Sequence, residues 1–227
     1  MEHDHLTEKQ NRVLVILAGG QSSRMGRDKT FLPYKDTTFL GYLLRKAESC
    51  FSNIWISAGS KEHAEKIRKY LQQESGEDRA RGPATGIVTD LYERIGPMGG
   101  ILSVFETIES ACFVLLAVDI PDADMEVLAV LSELAGQHGE AALMLQLSDA
   151  GHAEACAAVY NRKAYRLIRA AYERGEYSLR KALGEDQVRL VGVKELRTLL
   201  PELRAEDLRE AFRNINCPQE YMRSSEK

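Results

Sequence analysis

The residues with the clearest chemical pattern lie in a glycine-rich loop, LAGGQSSRMGRDK, which spans residues 17–29. Two adjacent glycines, Gly19 and Gly20, follow an apolar run and precede two cations, Arg24 and Lys29. Glycine lets the backbone approach a ligand closely and adopt positive φ at little steric cost. Consecutive amide N–H groups can then form a concave anion site, to which the two cations add positive charge. The pattern therefore predicts a phosphate-binding loop.

The spacing within this loop excludes two common phosphate-binding motifs. A Walker A loop has the pattern GxxxxGK[ST], but no GK[ST] follows Gly20 or Gly26. A dinucleotide-binding fingerprint has GxGxxG leading directly into a helix, and the loop does not contain that pattern. Connections between a strand and the next helix ordinarily have about 2–6 residues, so the length of this loop favours a functional role.

The elements that must position the loop are predicted to alternate between strands and helices. Continuous apolar runs predict strands, and apolar residues at helical spacing predict helices. The alternation is typical of α/β proteins, and we predict a three-layer, mostly parallel Rossmann-like sheet with helices on both faces and an antiparallel strand addition. Strands are predicted at 12–18, 53–59, 86–90, 112–118, 140–147, 154–161 and 188–193; helices at 37–50, 62–73, 101–110, 124–137 and 162–175; a loop at 74–86; and a turn at 96–100.

Two acidic residues follow strands of this predicted sheet and are candidate site residues. Asp90 stands at the carboxyl end of the third strand, and Asp119 comes directly after the fourth. Ligands of such sheets bind beyond the carboxyl ends of the strands, where we expect both residues to meet the glycine-rich loop. A carboxylate at a strand end is either a turn residue or a metal ligand, since one or two carboxylates plus substrate phosphates commonly hold Mg²⁺.

Composition restricts the class of protein and its partners. The chain has 227 residues, 44% of them hydrophobic, and we predict a flexible leader at 1–11, a single domain at 12–222 and a tail at 223–227. The net charge of −4 does not favour a nucleic-acid partner. No window approaches the roughly 20 apolar residues of a membrane span, so no membrane partner is expected. The polar N-terminus resembles neither a signal nor a transit peptide, which predicts a cytoplasmic location.

The glycine-rich loop resembles the signature L-A-G-G-x-S-x-R-M-G-x-D-K of the molybdenum cofactor guanylyltransferases. Segments similar to other motifs of that family follow in the expected order: GPMGGILSV at 96–104, VDIP at 118–121 and FRNINCPQEY at 212–221. The resemblance implies a nucleotide-diphospho-sugar-transferase-like fold. It also implies transfer of GMP from GTP to the terminal phosphate of molybdopterin, with release of pyrophosphate. Mg²⁺ is the implied cofactor, and proteins that carry or receive the molybdenum cofactor are implied as transient partners.

The same resemblance assigns roles to individual residues. Asn214 and Asn216 match a family N-x-N pair near the molybdopterin side, although both could instead order a turn before Pro218. Ser57 stands where the family often has asparagine. Catalysis is implied for Arg24, Lys29 and Asp119, with Asp119 as the metal ligand. Nucleotide binding is implied for Leu17, Ala18, Gly19, Gly20, Lys29, Ser57, Asp90 and Asp119.

Two departures from the family pattern leave alternatives open. Val118 replaces the usual cysteine before the aspartate, and HAEACAAVY at 152–160 lacks the proline found near the second substrate. The alternatives are use of CTP, a sugar phosphate as acceptor, and a nucleotide-binding module without transfer activity. The LAGG pattern favours guanine, because cytidylyl relatives tend to have LAAG. The combination of Arg24, Lys29 and Asp119 favours transfer over binding alone.

Overall fold

The computed structural model describes residues 12–19, 28–74, 84–92, 95–135, 139–147, 153–216 and 220–221. Gly20 and Arg24 lie outside the described residues. So do the predicted leader at 1–11, the tail at 223–227 and most of the predicted loop at 74–86.

One seven-stranded sheet organises the chain, and a two-stranded hairpin accompanies it. The strands are β1 (Val13–Leu17), β2 (Pro33–Tyr34), β3 (Thr37–Thr38), β4 (Asn53–Ala58), β5 (Ala84–Thr89), β6 (Cys112–Ala117), β7 (Ala142–Gln146), β8 (Ala153–Asn161) and β9 (Val188–Val191). The large sheet has the order β5-β4-β1-β6-β8-β7-β9, while β2 and β3 form the hairpin. Within the large sheet, β8 is antiparallel to β6 and β7, and the other neighbouring strands are parallel.

Helices cover both faces of the sheet. They are α1 (Phe39–Ala47), α2 (Lys61–Glu74), α3 (Pro97–Thr107), α4 (Met125–Ala135), α5 (Arg162–Glu173), α6 (Leu179–Leu183), α7 (Val193–Leu196) and α8 (Ala205–Ala211). Buried residues of α3, α5 and α6 belong to one apolar cluster, and those of the other five helices belong to a second. The predicted three-layer α/β architecture with an antiparallel addition is therefore confirmed.

Strand β1 shows why this sheet lies between two layers of helices. Leu14 and Ile16 pack into one apolar cluster, whereas Val15 and Leu17 pack into the other. Successive side chains of a strand point to opposite faces, so a continuous apolar run suits a strand with helices on both sides. β1 pairs in parallel with β4 and β6, which places the start of the glycine-rich loop between two strand ends.

Sequence-based boundaries were wrong at three places. The predicted helix at 37–50 is shorter, because Thr37–Thr38 form β3 and the helix spans only Phe39–Ala47. The segment 96–100 is not a turn before a helix, because α3 begins at Pro97 and includes Gly99 and Gly100. Proline suits the first helical position, where its missing N–H costs nothing. Both glycines allow close packing: a Cβ on Gly100 would lie 2.5 Å from Leu17 Cδ2, and one on Gly99 would lie 2.5 Å from a backbone oxygen. The predicted loop at 74–86 also ends early, since β5 begins at Ala84.

Within the described part of the chain, no helix has both the length and the apolar character needed to cross a bilayer.

Candidate active site

The candidate site lies at the edge of the sheet where β1, β4, β5 and β6 end. These four strands are parallel neighbours, so their carboxyl ends share one edge. Gly19 follows β1, Gly59 follows β4, Asp90 follows β5, and Asp119 follows β6. The structure thus places the start of the glycine-rich loop and both candidate aspartates along the same edge, as the order of strands predicts.

Lys29 connects the end of β6 to the C-terminal segment. Its ammonium group donates to Asp119 Oδ2 at 2.8 Å and to Asn216 Oδ1 at 2.7 Å. The Lys29 and Asp119 side chains are only 14% and 20% exposed, so their attraction is less screened than that of a surface pair. The C-terminal segment is fixed here because Ile215 N–H donates to the Asp119 carbonyl at 2.8 Å. Lys29, Asp119 and Asn216 therefore form one cluster, which we call the lysine cluster.

A second group of site residues surrounds Asp90. Ser57 is fully buried and its hydroxyl donates to Asp90 Oδ1 at 2.7 Å. Burial raises the pKa of Asp90 above its ordinary value, and the Ser57 hydrogen bond and the charge of His63 offset only part of that shift. Ser57, which the family resemblance implies in nucleotide binding, is placed to act through Asp90, because none of its surface is exposed.

The backbone at the start of the loop is held tightly against β4. The amides of Ala18 and Gly19 both donate to the Ser57 carbonyl at 3.0 Å, and Val118 N–H donates to the Leu17 carbonyl at 3.0 Å. The Leu17 side chain is buried in the core under α3. Leu17 can therefore face a ligand only through its backbone, whereas Gly19 is partly exposed at the sheet edge.

We expect Gly19→Ala to lower both thermal stability and the GTP use that the family resemblance implies. The added Cβ would lie 2.6 Å from Gly59 N and 3.2 Å from Asp90 Oδ2, and backbone atoms cannot move aside as a flexible side chain can. Overpacking of this kind costs about 1–3 kcal/mol. Melting temperature and GTP turnover are measured beside Gly139→Ala, since a Cβ at Gly139 would meet nothing within 4 Å. Wild-type behaviour of Gly19→Ala would contradict this close approach.

Asn214 contacts β8, whereas Asn216 contacts Lys29. Its amide donates to Glu154 Oε2 at 3.0 Å, while Glu154 Oε1 accepts from Cys156 N at 3.0 Å. The register between β7 and β8 shifts here, so that residues 155–157 form a bulge beside β6. Burial, followed by the charges of Glu154 and Asp119, raises the pKa of Cys156 to about 12. Its thiol is therefore protonated at neutral pH and is no nucleophile.

Sequence reasoning missed two residues that contact this edge, Glu154 and His63. Glu154 lies in the segment noted only for its lack of a proline. His63 lies in the polar start of α2, and its imidazole contacts Asp28 and Thr30 at the exit of the glycine-rich loop. A histidine among charged helix residues gives no periodic signal, so only the three-dimensional structure reveals this contact.

The lysine cluster has ligand chemistry that suits Mg²⁺. Asp119 and Asn216 present carboxylate and amide oxygens, which are hard donors of the kind that Mg²⁺ prefers. Among the residues that the structure describes, no group of three His, Cys, Asp or Glu side chains could hold a metal. A Mg²⁺ ion at Asp119 would thus need oxygens from phosphates and water, as is usual for Mg²⁺ bound together with a nucleotide.

Comparisons with known proteins show the family and the fold of the chain. Residues 14–190 match the family model described as a MobA-like NTP transferase domain. Probable molybdenum cofactor guanylyltransferases from Bacillus mycoides and Methanosarcina mazei are 22% and 28% identical to this chain. Each alignment covers 92% of this chain and, respectively, 94% and 88% of the relative. Molybdopterin-guanine dinucleotide biosynthesis protein A from Archaeoglobus fulgidus has a similar fold, with a TM-score of 0.75 and 24% identity over 94% of this chain and 97% of that protein.

Proposed function

The chain belongs to the MobA-like NTP transferase family, and from this membership we propose that it transfers GMP from GTP to the terminal phosphate of molybdopterin, releasing pyrophosphate. It is a nucleotidyltransferase, and its relatives' names support a role in molybdenum cofactor biosynthesis. The observation that carries the proposal is the lysine cluster: Lys29 lies at Asp119 and Asn216, at the sheet edge where the glycine-rich loop begins.

The proposed reaction needs positioning more than it needs a base. A terminal phosphate oxygen of the acceptor is already anionic, and it attacks the α-phosphorus of GTP. The bond from that phosphorus to the oxygen of the β-phosphate breaks, and the electron pair leaves with pyrophosphate. Both reactants are anions, so catalysis depends on orientation and on the stabilisation of charge on the phosphates.

The described residues supply that charge and that orientation. The Lys29 ammonium would bind phosphate oxygens and offset the negative charge that grows on pyrophosphate. Asp119 and Asn216 would hold Mg²⁺, which, when bound, stabilises negative charge on phosphate oxygens. Ala18 and Gly19 would orient the nucleotide through their backbone, at the point where β1 ends.

Asp90 would select the base. The Watson–Crick edge of guanine presents two neighbouring donors, N1–H and N2–H, and an ionised carboxylate can accept both. Cytosine presents one donor beside an acceptor, which a carboxylate satisfies less well. Because the buried Ser57 donates to Asp90 Oδ1, the carboxylate is held in one orientation, which favours a specific contact over a loose one.

We expect the chain to bind GTP more tightly than CTP or ATP, and Asp90→Asn to remove most of that preference. An asparagine amide presents a donor to the guanine donors, so GTP affinity should fall about tenfold while CTP affinity changes little. Because burial raises the pKa of Asp90, wild-type GTP affinity should weaken on acidification at a pH above the ordinary aspartate value of 3.8. Asp90→Asn should lose this pH dependence. Binding titrations of the three nucleotides with Mg²⁺, across a pH series, measure both effects.

Asp207→Asn is the matched control, because Asp207 lies on α8 and forms an exposed ion pair with Arg204, the residue before that helix. A preference of the wild-type chain for CTP would contradict the guanine assignment and favour the cytidylyl alternative. Nucleotide binding without transfer to any phosphorylated acceptor would favour the non-catalytic alternative. A cytoplasmic location and transient contact with carrier or recipient proteins remain predictions from the sequence.

A further inference from the structure

Three side chains form a polar network at the exit of the glycine-rich loop. His63 Nε2 lies 3.1 Å from Asp28 Oδ2 and 3.2 Å from the Thr30 hydroxyl. That hydroxyl in turn lies 3.4 Å from the carbonyl oxygen of Ala18. Ala18 lies near the start of the loop, before the two glycines, and Asp28 lies near its end, so the network connects the two ends of the loop. We call Asp28, Thr30 and His63 the loop clasp.

The chemistry of the loop clasp admits one consistent set of hydrogen bonds. An ionised carboxylate can only accept, so His63 must carry a proton on Nε2 and donate it to Asp28. Nε2 then has no lone pair with which to accept the single hydroxyl hydrogen of Thr30. That hydrogen is therefore available to the Ala18 carbonyl, and each donor of the clasp has an acceptor at the loop's entry or exit.

The clasp is also shielded and braced by its surroundings. Thr30 is fully buried, the His63 side chain is 14% exposed, and the Phe31 ring packs edge-on to the imidazole with centroids 5.9 Å apart. Asp28 Oδ1 accepts from Thr30 N at 3.0 Å and so caps the short 3₁₀ helix Lys29–Phe31. Burial acts to raise the pKa of Asp28, but the hydrogen bond and charge of His63 and the Thr30 hydrogen bonds lower it below its ordinary value.

Lys29 lies directly between two members of the clasp. Its two neighbours in the chain are Asp28, whose carboxylate contacts His63, and Thr30, whose hydroxyl contacts the Ala18 carbonyl. The same lysine carries its ammonium to Asp119 at 2.8 Å. A displacement of the Asp28–Thr30 backbone therefore moves the point from which the Lys29 side chain reaches Asp119.

We propose that His63 is a positioning residue: through Asp28 and Thr30 it holds the two ends of the glycine-rich loop together and thereby holds Lys29 in place for the nucleotide phosphates. This inference rests on the proposed function for its catalytic consequence. The claim that His63 holds the two ends of the loop together does not depend on the proposed function, and amide hydrogen exchange tests it separately.

The test compares His63→Leu with His63→Gln, because leucine fills space without donating and glutamine keeps an N–H donor near the position of Nε2. In His63→Leu, GTP affinity and kcat/KM should each fall about tenfold, since a small misplacement of a charged group is costly. His63→Gln should recover most of both losses. Glu65→Gln, an exposed α2 residue paired with Arg68, should behave as wild type. Equal losses in the leucine and glutamine variants would overturn the proposal, because the N–H donor that glutamine keeps would then make no difference.

Amide hydrogen exchange at Thr30, resolved by NMR without nucleotide, separates this inference from the proposed function. In His63→Leu the Thr30 amide hydrogen should exchange several-fold faster than in the wild type, His63→Gln or Glu65→Gln. The reason is that the hydrogen bond from Thr30 N to Asp28 Oδ1 is loosened when His63 no longer holds Asp28. Unchanged exchange would overturn the loop clasp, whatever the activity. If the wild-type chain binds GTP but transfers nothing, the proposed function fails. Faster exchange with weaker GTP binding in His63→Leu would still support the positioning of Lys29.

Discussion

Asp119→Asn should reduce nucleotidyl transfer by about two to three orders of magnitude, while GTP affinity falls much less. The asparagine keeps the shape of the side chain and can still accept from Lys29, but it lacks the negative charge that would hold Mg²⁺. Stabilisation of the transition state by a metal is worth several kcal/mol, which sets the expected loss. Raised Mg²⁺ should restore only part of the activity. Turnover, GTP affinity and melting temperature are measured on one preparation.

The structure predicts that this variant stays folded. The Asp119 backbone carbonyl, which accepts from Ile215 N–H, is unchanged by the substitution. Asparagine also tolerates the turn geometry that follows a strand. Asp207→Asn serves as the control, since it removes a carboxylate charge from an exposed pair. Full turnover in Asp119→Asn would exclude Asp119 as the metal ligand, and a collapsed melting temperature would assign it a structural role instead.

Lys29→Ala should weaken both Mg·GTP binding and turnover by about tenfold to a hundredfold. A hydrogen bond to a charged group is worth about 1.5–3 kcal/mol, and Lys29 is expected to contact phosphates in the ground state as well as in the transition state. Its loss therefore affects affinity and rate together, unlike the loss of Asp119. Binding titration and steady-state kinetics distinguish the two patterns.

Lys29→Ala should lower stability moderately without unfolding the chain. The pair with Asp119 is less screened than a surface pair, so its loss should cost about 2 kcal/mol, which shifts the melting temperature of a chain of this size by roughly 4–8 °C. Lys181→Ala is the matched control, because Lys181 lies on α6, on the opposite face of the sheet from α1 and α2, and forms a largely exposed pair with Glu176. Unchanged kinetics with a native circular dichroism spectrum would remove Lys29 from the site.

The two strands at the centre of the site edge, β1 and β6, were predictable because each is a continuous apolar run. The run at 12–18 predicts β1 at Val13–Leu17, and the run at 112–118 predicts β6 at Cys112–Ala117. Short elements were not predictable, since two-residue strands such as β2 and four-residue helices such as α7 are too brief to show a period. The start of α3 was misplaced because its glycines resemble turn residues, whereas Gly100 packs closely on Leu17 and Ser57 and Gly99 on the Tyr92 backbone.

The site was predictable where the chain order places residues at strand ends. Gly19, Asp90 and Asp119 follow three parallel strands, and the topology alone brings them to one edge. The partners of these residues were not predictable. Asn216 reaches Lys29 across 187 residues of chain, a contact that no spacing rule encodes. The burial of Ser57, which makes it a partner of Asp90, likewise depends on the packing of α3 over β4.

The central claim is the transfer of GMP to a terminal phosphate, and the most direct measurement follows the α-phosphate of GTP. The wild-type chain is incubated with molybdopterin, Mg²⁺ and GTP that carries an isotopic label in its α-phosphate. Mass spectrometry then identifies the labelled product, and pyrophosphate is counted beside it. We predict a labelled molybdopterin guanine dinucleotide and one pyrophosphate for each molecule formed. A molybdopterin that remains unlabelled, with GTP intact, would contradict the account.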